Sequence, residues 1–72
     1  MPKAKDLITY GAVKVDDGRW HIRVDVYLRG RLVERNQNQM PWPTQSLAEK
    51  QAYQFAIEAR DNWNPDLVIL PA

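Results

Sequence analysis

Cysteine is absent from the 72 residues, so neither a disulfide nor a zinc thiolate can staple the fold. There is one histidine, so a metal centre would need His21 together with carboxylates. The longest apolar run is Leu67-Val68-Ile69-Leu70, far short of the roughly 20 residues that a membrane-spanning helix requires. The opening Met1-Pro2-Lys3-Ala4-Lys5-Asp6 lacks the apolar centre of a signal peptide. A cytoplasmic location and no membrane partner are the expectation. Glycine is scarce: Gly11, Gly18 and Gly30 are scattered, and two of them stand at turns, so no glycine-rich loop cradles a phosphate. No cofactor is expected.

The hydrophobic fraction of 44% and the three tryptophans are enough for a core, which excludes global disorder. The length fits a single small domain over residues 1–72, with a thin core because a chain this short buries only about 60% of its unfolded surface. The net charge of +1 hides an uneven distribution. Residues 19–39 hold Arg19, Arg23, Arg29, Arg31 and Arg35 against Asp25 and Glu34, whereas residues 44–72 hold Lys50 and Arg60 against Glu49, Glu58, Asp61 and Asp66. A basic sheet opposite an acidic helix is a charge asymmetry with consequences for partners.

Residues 1–6 read as a loose lead-in, followed by strands over 7–15, 19–28 and 32–38 and a helix over 46–63. Trp20, Ile22, Val24, Val26 and Leu28 alternate with His21, Arg23, Asp25, Tyr27 and Arg29, the period of a strand with one buried and one wet face. Asp17-Gly18 suits the two centres of a type I′ turn, which need positive φ. That turn predicts Val15 opposite Trp20, Val13 opposite Ile22, Gly11 opposite Val24, Thr9 opposite Val26 and Leu7 opposite Leu28, with all pairs on the apolar face. Arg29-Gly30 marks a second turn. A two-residue loop there faces Val33 inward, and a three-residue loop with left-handed Gly30 faces Leu32 inward. The polar run Arg35-Asn36-Gln37-Asn38-Gln39 reads as a fraying edge strand or a loop.

Pro41-Trp42-Pro43 ends the sheet by denying it ladder donors. Trp42 reads as a lid over the end of the core or as an exposed aromatic anchor. Ser46-Leu47-Ala48-Glu49 has the form of a capping box, with Thr44 as the alternative cap. Ala48, Ala52, Phe55, Ala56, Ala59 and Trp63 form a helical stripe. Its four alanines bring the helix axis close to the sheet, an approach that Gly11 also serves if it faces inward. Phe55, the large residue amid the alanines, is expected at the centre of the core, where truncation to Ala costs about 3–5 kcal/mol. Trp63 is expected to close the core beneath the helix, and Asn64-Pro65 stops it. Residues 67–70 fit either a short fourth strand covered on both faces or a segment buried against a second subunit. The fold class is α+β, a three-stranded antiparallel sheet with one C-terminal helix packed on one face.

Catalysis has little to stand on. His21 and Asp25 share a face but stand about 13 Å apart along the strand. Ser46 is better explained as a cap than as a nucleophile. The chain is not read as an enzyme. The open sheet face is the candidate site, with Lys14, Arg19, His21, Arg23, Tyr27, Arg29, Arg31 and Arg35 as residues able to contact nucleic acid. The Asn36–Gln39 amides suit base reading or a polar turn equally. Tyr53 and Ile57 on the helix, with Leu67, Val68, Ile69 and Leu70, are the candidates for a protein interface or a homodimer patch.

The β-β-β-α order carries Gly18-Arg19-Trp20-His21-Ile22-Arg23-Val24, the Gly30 turn and the helix from Ser46 to Ala56. In this it resembles the small DNA-binding domains of the AP2 type and the arm-binding domains of phage integrases, over roughly residues 9–63. That resemblance implies DNA contact by Arg19, Arg23, Arg29, Arg31 and Arg35. The hairpin, third strand and helix start Ser46-Leu47-Ala48-Glu49 are also similar to the N-terminal part of HicB-like antitoxins. That likeness implies contact with a protein instead. From the sequence the leading expectation is a small nucleic-acid-binding domain, and the alternative is a small protein-binding accessory or regulatory domain.

Overall fold

A computed structural model describes residues 6–15 and 17–72. The lead-in read over 1–6 therefore lies outside the described residues apart from Asp6. The elements run β1 (Leu7–Lys14), β2 (Trp20–Leu28), β3 (Arg31–Trp42), α1 (Gln45–Trp63) and β4 (Val68–Pro71). They form a four-stranded sheet in the order β3-β2-β1-β4, with α1 on one side. β1, β2 and β3 pair antiparallel, and β4 lies parallel to β1. The fold is α+β as expected. The fourth strand is formed, one residue later than the apolar run begins, because Leu67 turns into the core instead of joining the ladder.

The expected register of the first hairpin is wrong by one residue. β1 and β2 pair Ile8 with Val26, Tyr10 with Val24 and Ala12 with Ile22. The cause lies in the turn. The Val15 amide donates to the Arg19 carbonyl at 2.9 Å, and the Gly18 amide donates to the Val15 carbonyl at 2.9 Å. The ladder thus closes at Val15 and Arg19, and the connection is one residue longer than a two-residue turn. Gly18 takes φ +81, as such a loop needs at its last position. A slip of one residue exchanges the two faces of a strand. Ile8, Tyr10 and Ala12 therefore face the helix, while Leu7, Thr9, Gly11 and Val13 face away. Gly11 does not serve the helix approach: a Cβ on it would meet the Ala72 Cβ at 3.3 Å.

The tight turn occurs at the second hairpin. Leu28 pairs with Arg31, and the two intervening residues, Arg29 (φ 56) and Gly30 (φ 78), both have positive φ. The Arg29 amide donates to Asp6 Oδ1 at 2.8 Å, which helps hold a side chain-bearing residue in a conformation costing about 1–3 kcal/mol. The ladder then shifts between the Tyr27–Leu32 and Val26–Glu34 pairs. This bulge leaves Val33 without an opposite residue, so neither expected register of strand three applies. β3 is an edge strand that continues to Trp42 instead of fraying near residue 38.

The core has two parts. Ile8, Val24, Val26, Ala56 and Leu67 form one, and Ile22, Ala48 and Ala52 form the other, capped by Trp20 and Trp42. Trp42 is thus the lid of that end. Thr44, not Ser46, caps the helix, and its Oγ1 accepts the Leu47 amide at 3.2 Å. An α-helix is about 10 Å wide and strands lie about 4.8 Å apart, so one helix covers about two strands. Here α1 covers β1 and β2 and hardly meets β3. Phe55 and Trp63 hang over the gap, 39% and 42% exposed, and are not core residues. The stripe is centred on Ala48, Ala52 and Ala56, so its true axis is turned away from Phe55. Trp63 Nε1 donates to Glu34 Oε1 at 3.0 Å and ties the end of α1 to β3.

Candidate functional site on the open sheet face

The corrected register arranges the open face in cross-strand rows. At the end nearest the β2–β3 turn, Leu32, Tyr27, Leu7 and Val68 stand side by side across all four strands. The next row is Arg35, Asp25, Thr9 and Leu70. Beyond it come Gln37, Arg23 and Gly11, and then His21 beside Val13. The face is graded, with a row of three aliphatic side chains and Tyr27 at one end and a polar centre. Leu32, Val68 and Leu70 are 43%, 42% and 43% exposed.

Asp25 is the buried charge of the molecule among the described residues. Its partner is Arg35, whose Nε lies 3.0 Å from Oδ1 and whose Nη2 lies 3.3 Å from Oδ2. This side-on pair satisfies the buried carboxylate from a half-exposed arginine. Its hydrogen bond, and then its charge, raise the Arg35 guanidinium above the ordinary arginine value, so Arg35 stays cationic. Arg23, two residues from Asp25 on the same strand, has no hydrogen bond or ion pair among the described residues. Arg23, Asp25, Tyr27 and Arg35 border a pocket of about 320 Å³ with Thr9 and Gly11.

The residues read from the sequence as a basic face are only partly brought together. His21, Arg23, Tyr27 and Arg35 share the open side. Lys14 stands opposite Trp20 and shares the helix side of the sheet. Arg19 sits at the hairpin end, where its amide donates to Asp17 Oδ1 at 3.0 Å and its Nε lies 3.9 Å from Asp17 Oδ2. Arg29 lies in the second turn and Arg31 directly follows it, both exposed. The protein-interface set is divided by the sheet. Val68 and Leu70 are on the open side, Leu67 is buried at 3%, and Ile69 packs on the core. Tyr53 lies on the helix side, edge-on to Tyr10 with ring centroids 5.3 Å apart, and Ile57 is half-buried.

Sequence reasoning missed Thr9, Leu7, Leu32 and the Asp25–Arg35 pair as members of one site. The first two follow from the slipped register. The pair carried a usable signal: Asp25 is the acid of β2, and only a register that sets Arg35 opposite it lets that charge be buried.

A second concavity of about 430 Å³ lies between α1 and β3, lined by Ile22, Val24, Glu34, Phe55, Glu58 and Trp63 among others. Among the described residues no three His, Asp or Glu side chains converge in a way that would hold a metal ion, and no helix is long and apolar enough to cross a membrane. Comparison of the chain with models of protein families, with curated proteins and with solved structures finds no match.

Proposed function

We propose that this chain is a small protein-binding accessory or regulatory domain whose docking surface is the open sheet face. The observation that carries the reading is the apolar row Leu32, Tyr27, Leu7 and Val68, continued by Leu70, lying uncovered across the full width of the sheet. An apolar band of this kind, bordered by polar groups, marks an interaction surface. On the open face Arg35 is committed to Asp25, and Arg23 is the guanidinium there without a partner among the described residues. That weakens the case for a phosphate backbone, which needs several free cations. The likeness to HicB-like antitoxins points the same way. The β-β-β-α layout shared with AP2-type and integrase arm-binding domains does not include the parallel β4.

The test is a photo-crosslinking amino acid placed at Leu70 and, separately, at Gln54 on the exposed side of the helix. A discrete protein adduct from position 70, absent from position 54 and lost on Val68→Lys, is the expected result. Equal labelling from both positions, or none from either, sinks the reading. Nucleic-acid binding is the second reading, favoured by the unpaired Arg23 beside His21 and Tyr27. It takes over if the chain binds DNA with steep salt dependence and Arg23→Ala lowers the slope by about one unit.

A further inference from the structure

The polar centre of the open face has a geometry that the apolar row alone does not explain. Arg35 is held by its Nε and Nη2 edge against Asp25, which fixes the orientation of its guanidinium, with Tyr27 as a further, weaker side-chain partner. Arg23 borders the same pocket and has no partner among the described residues. Asp25 offsets one of the two arginines, so the pocket keeps one positive charge. Gly11, directly across from Arg23, places no side chain there, and Ala72 closes over it and borders the pocket. Tyr27 and Thr9 bring hydroxyl groups to the rim. One net positive charge, a fixed guanidinium and a second, free one describe a receptor for a single monoanionic oxyanion.

Resting on the docking reading above, we propose that the pocket between Arg23 and Arg35 seats one carboxylate of the partner, an Asp or Glu side chain flanked by apolar residues. The neighbouring rows supply the second half of the recognition. Leu70 lies in the same cross-strand row as Asp25 and Arg35, and Leu7, Tyr27, Leu32 and Val68 form the next. A segment that alternates acidic and apolar side chains therefore meets a cation and an apolar surface together. A nucleic-acid backbone would set repeated phosphates against that apolar row.

The experiment is an NMR titration read at the arginine Nε–Hε resonances and the methyl groups of Leu7, Val68 and Leu70. The probes are acetyl-Leu-Glu-Leu-amide, acetyl-Leu-Gln-Leu-amide and inorganic phosphate. The Glu peptide should move the Arg23 resonance and the methyls to saturation, and bind at least about fivefold tighter than the Gln peptide. Arg23→Gln should abolish that preference while leaving the dispersion of the amide spectrum intact, since Arg23 is outside the core. Equal affinity for the two peptides, with the methyls moving, overturns the carboxylate site and leaves the docking face standing. Phosphate shifting Arg23 when the Glu peptide does not also overturns it, in favour of the nucleic-acid reading. Neither peptide moving any open-face resonance overturns it as well, and crosslinking at Leu70 then decides the docking reading on its own.

Discussion

The two sides of this sheet are made by the same four strands, yet they meet opposite demands. On the helix side, Ile8, Ile22, Val24 and Val26 are packed beneath three alanines that leave no accessible surface. Small residues there let a helix lie close, and the helix supplies nearly all the cover. On the other side, residues adjacent in the chain face solvent without a helix, and they include Leu7, Val13, Tyr27, Val68 and Leu70. An open face in an antiparallel sheet is ordinarily polar. This one is apolar at one end and holds at its centre a buried Asp25 paired with a half-exposed Arg35. The helix side is spent on stability, while the open side carries exposed apolar surface that the fold itself does not use.

The sharpest way to break this comparison is to truncate neighbours that point in opposite directions. Ile8→Ala should cost about 2–5 kcal/mol by chemical denaturation, because it empties a fully buried site. Leu7→Ala, one residue earlier on the half-buried open side, should cost below about 1.5 kcal/mol. Reversed magnitudes would restore the two-residue-turn register and exchange the faces. A smaller effect is expected from Ala52→Leu, which pushes the helix off the sheet for about 1–3 kcal/mol. A neutral result would mean that the helix does not sit as closely as its buried alanines imply. The smallest effect belongs to Phe55→Ala, at about 1 kcal/mol, since the ring is 39% exposed at the edge of the groove. A loss near 3–5 kcal/mol would put Phe55 back in the core.

The elements were readable because their signals are local. The alternation of β2, the proline pair around Trp42 and the alanine stripe of α1 each depend on a few neighbouring residues. Strand one was not readable in register, and the reason is physical. It has apolar residues in both phases, Leu7 and Val13 in one and Ile8, Tyr10 and Ala12 in the other, so either phase satisfies the pattern. The turn had to break the tie, and a Gly in second position serves a two-residue turn or the end of a longer one equally well. Phe55 misled for a related reason. Stripe membership fixes the angle of a residue around the helix, but not how many strands the helix covers. The site was half legible: the open face was found, but its rows depend on the register, and Asp25–Arg35 depends on a bulge that leaves Val33 unopposed.

The parallel pairing of β4 with β1 has a consequence for how the chain is made. β1 is the earliest strand of the sheet and lies inside it, but its outer neighbour comes from residues 68–71, after the whole helix. Until those residues emerge, a nascent chain can complete the β1–β2–β3 meander while one side of Leu7–Tyr10 still has unmatched amides and carbonyls. Leu67, which fills the core, is missing for the same interval. A stall or cleavage just before Leu67 therefore yields a sheet in which β1, not the short β4, is the free edge, over an incomplete interior. An exposed strand edge of this kind is a template for pairing with other chains, so β4 also serves to shield β1.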